Sequence, residues 1–253
     1  MLIKEIQTEK LTTCVYDTRA EMGRAAGAAA AAAIREVIAQ KGSANVIFAA
    51  APSQNEMLEA LLAEELDFSR IHAFHMDEYV GLSLEDAQSF ARYLTDHLFS
   101  KAPFASVNLI PAKDAEQGVV AYTALLRDNP PDVVCMGIGE NGHIAFNDPP
   151  VADFKDPVLI KRVALDEVCR MQQVHDGCFP TLDAVPKYAL TLTVPALLSA
   201  DTLICTVPAS TKAAAVEAML RGPYGEQCPA TALRRHDCAK MFLDADSAAR
   251  VLK

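Results

Sequence analysis

Apolar runs that alternate with helix-like stretches are the feature that most constrains how this chain folds. The runs lack polar alternation, as is typical of parallel strands covered on both faces. They span residues 45–50, 72–76, 132–137 and 202–207, and the helix-like stretches span 19–40, 52–65, 89–99 and 211–220. The alternation predicts an α/β fold, with a doubly wound, mostly parallel sheet and helices on both faces. Prolines fall between these elements and form no linker, so we predict one domain over residues 1–253.

The charge balance restricts the partners of the chain. Lys and Arg number 23 against 33 Asp and Glu, which gives a formal net charge of −10. The field of such a protein repels nucleic acid and anionic membranes, so we expect neither as a partner. A phosphorylated ligand would need a local cationic pocket.

The cysteines and the first residues indicate a reducing compartment. No cysteine pair has CxxC spacing and the count of 7 is odd, so we predict reduced thiols, with neither a disulfide framework nor a zinc site. Residues 1–5 lack the apolar core of a signal peptide, and the longest low-polarity run, 25–34, is shorter than the ~20 residues of a membrane span. We therefore predict a cytoplasmic protein without a bound metal.

Two turns between a predicted strand and a predicted helix are candidates for anion binding. Ligands of open α/β sheets lie outside the carboxyl ends of the strands, where helix N-termini offer free N–H groups. Ser53 and Gln54 follow the first strand, and Lys212 lies in the first turn of the last predicted helix, where its charge opposes the helix dipole. We expect all three to bind substrate or phosphate. The alternatives are a simple helix cap for Ser53 and a solvated surface lysine.

Acidic residues and a glycine-bracketed histidine follow the other two strands. Adjacent side chains on a strand point to opposite sides, so one of Asp77 and Glu78 should face a ligand and the other should meet solvent or a basic partner. Capping a helix is the alternative role for either acid. Gly142 precedes His143 in a run whose glycines let the backbone approach a ligand closely. We predict catalysis by Asp77 and His143 and substrate contacts for Glu78 and Gly142; the glycines match neither a dinucleotide fingerprint nor a P-loop.

As a set, three motifs resemble the glucosamine-6-phosphate deaminase/isomerase family. They are Met-Asp-Glu-Tyr-Val-Gly-Leu at 76–82, Gly-Ile-Gly-Glu-Asn-Gly-His-Ile-Ala-Phe-Asn at 137–147 and Val-Pro-Lys-Tyr-Ala-Leu-Thr-Leu at 185–192. The resemblance implies that Asp77 moves a proton between C1 and C2 of an open-chain sugar phosphate and that His143 assists ring opening. It places Asn141 and Asp148 in the histidine cluster and Lys212 on the phosphate, with no cofactor. Family members range from monomers to higher oligomers, so a homo-oligomer stays open.

The chain also departs from the family pattern. Asn141 stands where the family has an acid, which either impairs ring opening or makes the amide a specificity element for a substrate hydroxyl. Residues 50–53 lack the glycine of the family's phosphate turn. The family arginine near the phosphate is assigned to Arg170, although an ungapped match places Gln173 there. The main interpretation is isomerisation, with deamination, of an amino-sugar phosphate; the alternatives are a non-catalytic sugar-phosphate-binding regulator and a 6-phosphogluconolactonase-type hydrolase.

Overall fold

A mostly parallel eight-stranded sheet forms the centre of the computed structural model, which describes residues 1–175 and 177–252. The strands are β1 (Leu2–Thr8), β2 (Leu11–Tyr16), β3 (Ala44–Phe48), β4 (Ile71–His75), β5 (Asp77–Tyr79), β6 (Ser106–Asn108), β7 (Val133–Met136), β8 (Ile160–Ala164), β9 (Tyr188–Leu192), β10 (Thr202–Val207) and β11 (Ala239–Asp244). The α-helices are α1 (Arg19–Lys41), α2 (Asn55–Ala63), α3 (Phe90–Leu94), α4 (Ala115–Asp128), α5 (Glu167–His175), α6 (Val194–Leu198) and α7 (Ala213–Arg221). The predicted α/β class is confirmed.

The order of strands in the large sheet is β1-β2-β11-β10-β7-β3-β4-β6, and only the β1–β2 pair is antiparallel. From β3 the chain builds outward through β4 to β6, then crosses back to β7 and builds the other way through β10 and β11. The direction of winding therefore reverses between β3 and β7. Such a reversal opens a crevice at the carboxyl ends of the strands.

Helices cover both faces of this sheet, as predicted. Neighbouring residues of one strand enter different apolar clusters: Ile47 packs with residues of α4, α6 and α7, whereas Phe48 packs with residues of α1, α2 and α3. Both side chains are buried. Burial on two faces explains why the strands read as continuous apolar runs in the sequence. No described helix is long and apolar enough to cross a membrane.

A second sheet, which the sequence analysis did not foresee, is antiparallel and has the order β5-β9-β8. Only Met76 separates β4 from β5, so the chain leaves the large sheet and enters the small one almost without a turn. Asp77 pairs with Thr191 in this small sheet. The small sheet therefore holds the Asp-Glu-Tyr motif at the carboxyl edge of the large one.

Most predicted helices are present, with altered ends. Helix α1 is capped by Gly42, which has a φ of 86° and donates its N–H to the Ile38 carbonyl. The predicted helices at 52–65 and 211–220 each begin with a short 3₁₀ turn. The one predicted at 89–99 begins as α3 and ends in a π-helical turn. These irregular turns border the site described below.

Two glycines let α1 and α2 pack closely. A Cβ on Gly23 would lie 2.2 Å from the Glu56 Cβ, and a Cβ on Gly27 would lie 2.5 Å from the Ala60 Cβ and 2.9 Å from the Leu61 backbone nitrogen. Gly23 and Gly27 are four residues apart and therefore share one face of α1. This contact fixes the position of α1 over the loop that precedes α2.

Gly27→Ala should destabilise the protein, although alanine favours a helix by about 1 kcal/mol over glycine. The added methyl group overpacks the contact with Ala60, at a typical cost of about 1–3 kcal/mol. Urea unfolding of Gly27→Ala, Ala60→Gly and the double variant measures the coupling. Because Ala60→Gly removes the nearest clashing atom, it should recover part of the loss; purely additive effects would contradict this account.

Candidate active site

A cavity of about 440 Å³ lies at the carboxyl edge of the sheet, where the winding reverses. Residues 49–54 after β3 and 137–139 after β7 form two of its walls, and Asp77 after β4 and Lys212 after β10 complete it. His143 also lines this cavity. The structure thus brings together the polar groups that the sequence analysis placed after separate strands.

Asp77 faces this cavity from the first position of β5 and is 7% exposed. Among the described residues, none donates a hydrogen bond to its carboxylate. Burial, and then the neighbouring charge of Glu78, raise the pKa of Asp77 well above its usual value. An ionisable group with this combination of burial and strong perturbation is typical of catalytic sites.

The Glu78 carboxylate is bonded to backbone groups outside the cavity, a placement that gives its predicted substrate contact no support. Its carboxylate accepts hydrogen bonds from the N–H groups of Phe90 at 3.1 Å, Ala91 at 2.9 Å and Tyr79 at 2.9 Å. The first two are unpaired donors at the start of α3, so Glu78 stabilises this helix end. The strand alternation predicts that the second acid meets solvent or a basic partner. Glu78 is buried from solvent, and the basic side chain beside it is His75, at 3.8 Å.

The histidine turn brings His143 into the cavity by packing its ring against Gly139. A Cβ on Gly139 would lie 2.2 Å from the His143 Cε1, so only glycine leaves room for the imidazole. The turn is closed by a hydrogen bond from the Gly142 N–H to the Gly139 carbonyl at 3.0 Å. Gly142 has a φ of 81° and forms the left-handed turn; it does not line the cavity, which gives its predicted substrate contact no support.

Asp148 orients the His143 ring from behind. Its Oδ1 lies 2.9 Å from the His143 Nδ1 and accepts a 2.9 Å hydrogen bond from the Asn141 Nδ2, and the Cys169 thiol also donates to the carboxylate. Burial raises the pKa of Asp148, but the hydrogen bond and charge of His143, with the bonds from Asn141 and Cys169, outweigh burial and lower it. Asp148 is therefore held ionised beside the ring.

Asn141 does not line the cavity, so its placement gives no support to the idea that its amide binds a substrate hydroxyl. Its Oδ1 accepts a hydrogen bond from the backbone N–H of His143 at 3.0 Å, and its Nδ2 donates to Asp148. Both bonds use the amide to shape the turn.

Cys169 was missed by the sequence analysis because α5 is far from the histidine motif in sequence. Burial, and then Asp148, raise the pKa of its thiol. The ligand atoms of His143, Asp148 and Cys169 lie within 4.8 Å of one another, so this described trio could also hold a metal ion.

Ser53, Gln54 and Lys212 all line the cavity, at the ends of β3 and β10. Gln54 is fully buried, and its Nε2 donates to the Ser53 Oγ and to the Thr206 carbonyl, both at 3.1 Å. Those bonds tie the turn after β3 to β10. Lys212 is 7% exposed, so its charge is directed into the protein and not into bulk solvent.

The position of Arg170 gives no support to its predicted role on the phosphate, because its guanidinium is bonded to loop carbonyls. Its Nη2 donates to the carbonyls of Leu182 and of Val185, the latter at 3.0 Å, and Arg170 does not line the cavity. Gln173, one turn further along α5, does line it. Arg19, which the sequence analysis did not consider, lines the cavity from the start of α1.

Comparison with known proteins identifies relatives over most of the chain. The family model described as glucosamine-6-phosphate isomerases/6-phosphogluconolactonase matches residues 17–242. A glucosamine-6-phosphate deaminase of Bacillus cereus is 34% identical over 217 residues, which cover 85% of this chain and 80% of the relative.

Solved structures agree. A monomeric glucosamine-6-phosphate deaminase superposes with a TM-score of 0.85 at 29% identity and covers 94% of this chain and 99% of its own. The 6-phosphogluconolactonase of Thermotoga maritima has a TM-score of 0.76 at 19% identity, covering 93% of this chain and 100% of its own, and shares the fold.

Asp77→Asn should stabilise the protein at alkaline pH. Because the folded-state pKa of Asp77 lies above its ordinary value, the native state binds this proton more tightly than the unfolded chain does. The wild-type carboxyl therefore costs stability as pH rises from about 4 through the folded-state pKa. Asparagine removes that cost, so urea unfolding should show a gain in the free energy of unfolding at pH 8 and little gain at pH 4. The exposed Asp246→Asn is the matched control, and an equal gain at both pH values would contradict the assignment.

Proposed function

The chain belongs to the glucosamine-6-phosphate isomerase/6-phosphogluconolactonase family, and we propose that it isomerises and deaminates an amino-sugar phosphate of the glucosamine 6-phosphate type. One observation carries the proposal: a buried carboxylate, a carboxylate-oriented imidazole and a lysine open onto the same cavity. They are Asp77, His143 and Lys212. General acid/base chemistry on a phosphorylated sugar needs these three groups together.

Asp77 supplies the proton-transfer base. It removes the proton from C2 of the open-chain aldose and returns a proton to C1, through an enolamine state. The resulting imine loses ammonia on hydrolysis and leaves a ketose phosphate. A base is most effective when its pKa lies near the working pH, and burial moves the pKa of Asp77 upward in that direction.

His143 assists opening of the pyranose ring by moving the proton between the O1 hydroxyl and the ring oxygen. The ionised Asp148, 2.9 Å from Nδ1, favours a proton on that nitrogen and leaves Nε2 to exchange a proton with the sugar. Asn141 and Cys169 donate to the same carboxylate and so reduce the negative charge that the ring experiences.

In this proposal Lys212 neutralises the phosphate of the substrate. The phosphate lies at one end of the cavity, and the reacting carbons of the sugar lie at the other. Ser53 contributes a hydroxyl in the turn after β3, where it already accepts from Gln54 and can donate its own proton. The family match favours a phosphorylated substrate, and the cavity volume of about 440 Å³ accommodates a hexose phosphate.

A panel of sugar phosphates tests the proposal. The purified protein is assayed for ammonia and for ketose formation with glucosamine 6-phosphate, its epimers and glucose 6-phosphate, and for hydrolysis of 6-phosphogluconolactone. We expect ammonia and ketose phosphate in equal amounts from one amino-sugar phosphate. Hydrolysis of the lactone alone would make the protein a lactonase, and binding without turnover at enzyme concentrations near those of the substrate would make it a regulator; either result overturns the proposal.

Asp77→Asn should lower kcat on the best substrate by at least about 100-fold, the usual scale for a lost general base. Binding of the substrate should survive, because asparagine preserves the shape of the side chain. Stopped assays of product, together with calorimetric titration of the same variant, separate the two effects. Asp246→Asn should behave as the wild type, whereas most of the isomerase rate surviving in Asp77→Asn would remove Asp77 from the mechanism.

Asn141→Asp should damage the native reaction. The change replaces a donor to Asp148 with a second carboxylate at 2.9 Å, and the like charges disfavour double ionisation. We expect a several-fold loss of kcat and a stability that falls as pH rises above the ordinary carboxyl pKa of about 4 and both acids ionise. Asn141→Ala removes the donor without adding charge, so its stability should not show that pH dependence. A gain in kcat for Asn141→Asp would contradict this account, because it would mean that the Asn141 amide lowers the turnover rate.

A further inference from the structure

Arg19 is a cation on the wall of the cavity that the mechanism above does not use. It is the first residue of α1 and its side chain is 37% exposed. Its Nε donates to the Glu56 carboxylate at 2.7 Å, and its Nη2 donates to the Pro52 carbonyl. Among the described residues, none accepts a hydrogen bond from its Nη1. The guanidinium therefore has donors left for a ligand in the cavity.

Several groups in the turn after β3 cannot donate to a ligand. Proline has no backbone N–H, so Pro52 offers none, and the Gln54 N–H is already bonded to the Ala51 carbonyl at 2.9 Å. The Gln54 side-chain amide is bonded to Ser53 and Thr206. None of residues 49–54 carries a charge, so a phosphate seated on this turn would need a cation from another element.

The glycine contact between α1 and α2 places Arg19 beside this turn. Arg19, Gly23 and Gly27 recur at intervals of four residues and lie on one face of α1. Because Gly23 and Gly27 leave no space between the helices, the N-terminal end of α1 lies against the start of α2, where Glu56 and Pro52 hold the guanidinium. The position of Arg19 is therefore fixed by helix packing, and its fork is oriented before a ligand arrives.

We propose that Arg19 binds the phosphate of the substrate together with Lys212 and determines the preference of the site for phosphorylated sugars. This inference rests on the proposed function. The guanidinium supplies the positive charge that the turn lacks, and its planar fork suits the geometry of a phosphate. Glu56 and Pro52 position the fork, and Nη1 keeps its donors for the ligand.

Arg19→Gln tests the proposal by kinetics. Loss of a charge-assisted contact should raise KM for glucosamine 6-phosphate by about 10–100-fold, with kcat changed by less than about 3-fold. Turnover of unphosphorylated glucosamine should not change. Arg24→Gln, which removes the same charge from an exposed position of α1, should leave KM unchanged, whereas Lys212→Met should raise it as Arg19→Gln does.

Calorimetric titration with inorganic phosphate at low salt separates this inference from the proposed reaction. Arg19→Gln should weaken phosphate binding by about 10-fold or more even if no sugar phosphate on the panel is turned over. Unchanged phosphate affinity and unchanged KM in Arg19→Gln would overturn the inference while leaving an active deaminase in place. Equal losses with glucosamine and glucosamine 6-phosphate would also overturn it, because they would show that Arg19 only holds the turn in shape.

Discussion

The parallel register of β3, β7 and β10 is the constraint on which the cavity depends. Phe48 pairs with Cys135, and Cys135 pairs with Ile204, so β3 and β7 end within one residue of each other and β10 runs three residues beyond Ile204 in the same direction. The polar turns that follow them must then meet at one edge. A shift of one residue would turn every buried side chain of a strand to the opposite face, and the apolar clusters on both faces exclude that. The packing of the core thus fixes where the chemistry occurs.

Much of this arrangement can be predicted from the sequence. A strand buried on both faces appears as a continuous apolar run, and polar residues directly after such a run indicate the ligand-binding edge of the sheet. The strand at 202–207 is predicted to the residue, and Asp77, His143, Ser53, Gln54 and Lys212 all reach the cavity. The small antiparallel sheet cannot be predicted from the sequence. Its strand β5 has only three residues, too few to show the alternation of polar and apolar residues that distinguishes a strand from a loop. Its pairing with β9 is a tertiary contact across a long stretch of sequence.

The structure departs from the sequence-based expectations where distant partners decide the contacts of a side chain. Glu78 lies in the Met-Asp-Glu-Tyr-Val-Gly-Leu motif, and its carboxylate caps α3. The motif contains no information about where that helix begins. Arg170 was assigned by its nearness to an expected position, although two loop carbonyls hold it elsewhere. Arg19 was overlooked because it lies far from the turn in sequence. The spacing of Arg19, Gly23 and Gly27 on one face of a helix is the signal that could have found it.

Charge inside the cavity connects substrate binding to the strength of the base. The protein has a formal net charge of −10, and that field is screened beyond about 10 Å at moderate salt, so attraction for a phosphate must come from nearby cations. A bound phosphate would place negative charge in the cavity with the buried Asp77 and raise the pKa of its carboxyl further. Too high a pKa leaves the base protonated at neutral pH. In the proposed mechanism Lys212 and Arg19 oppose that rise, because each neutralises part of the phosphate charge. The cations therefore hold the substrate and also keep Asp77 able to accept a proton once the substrate is bound.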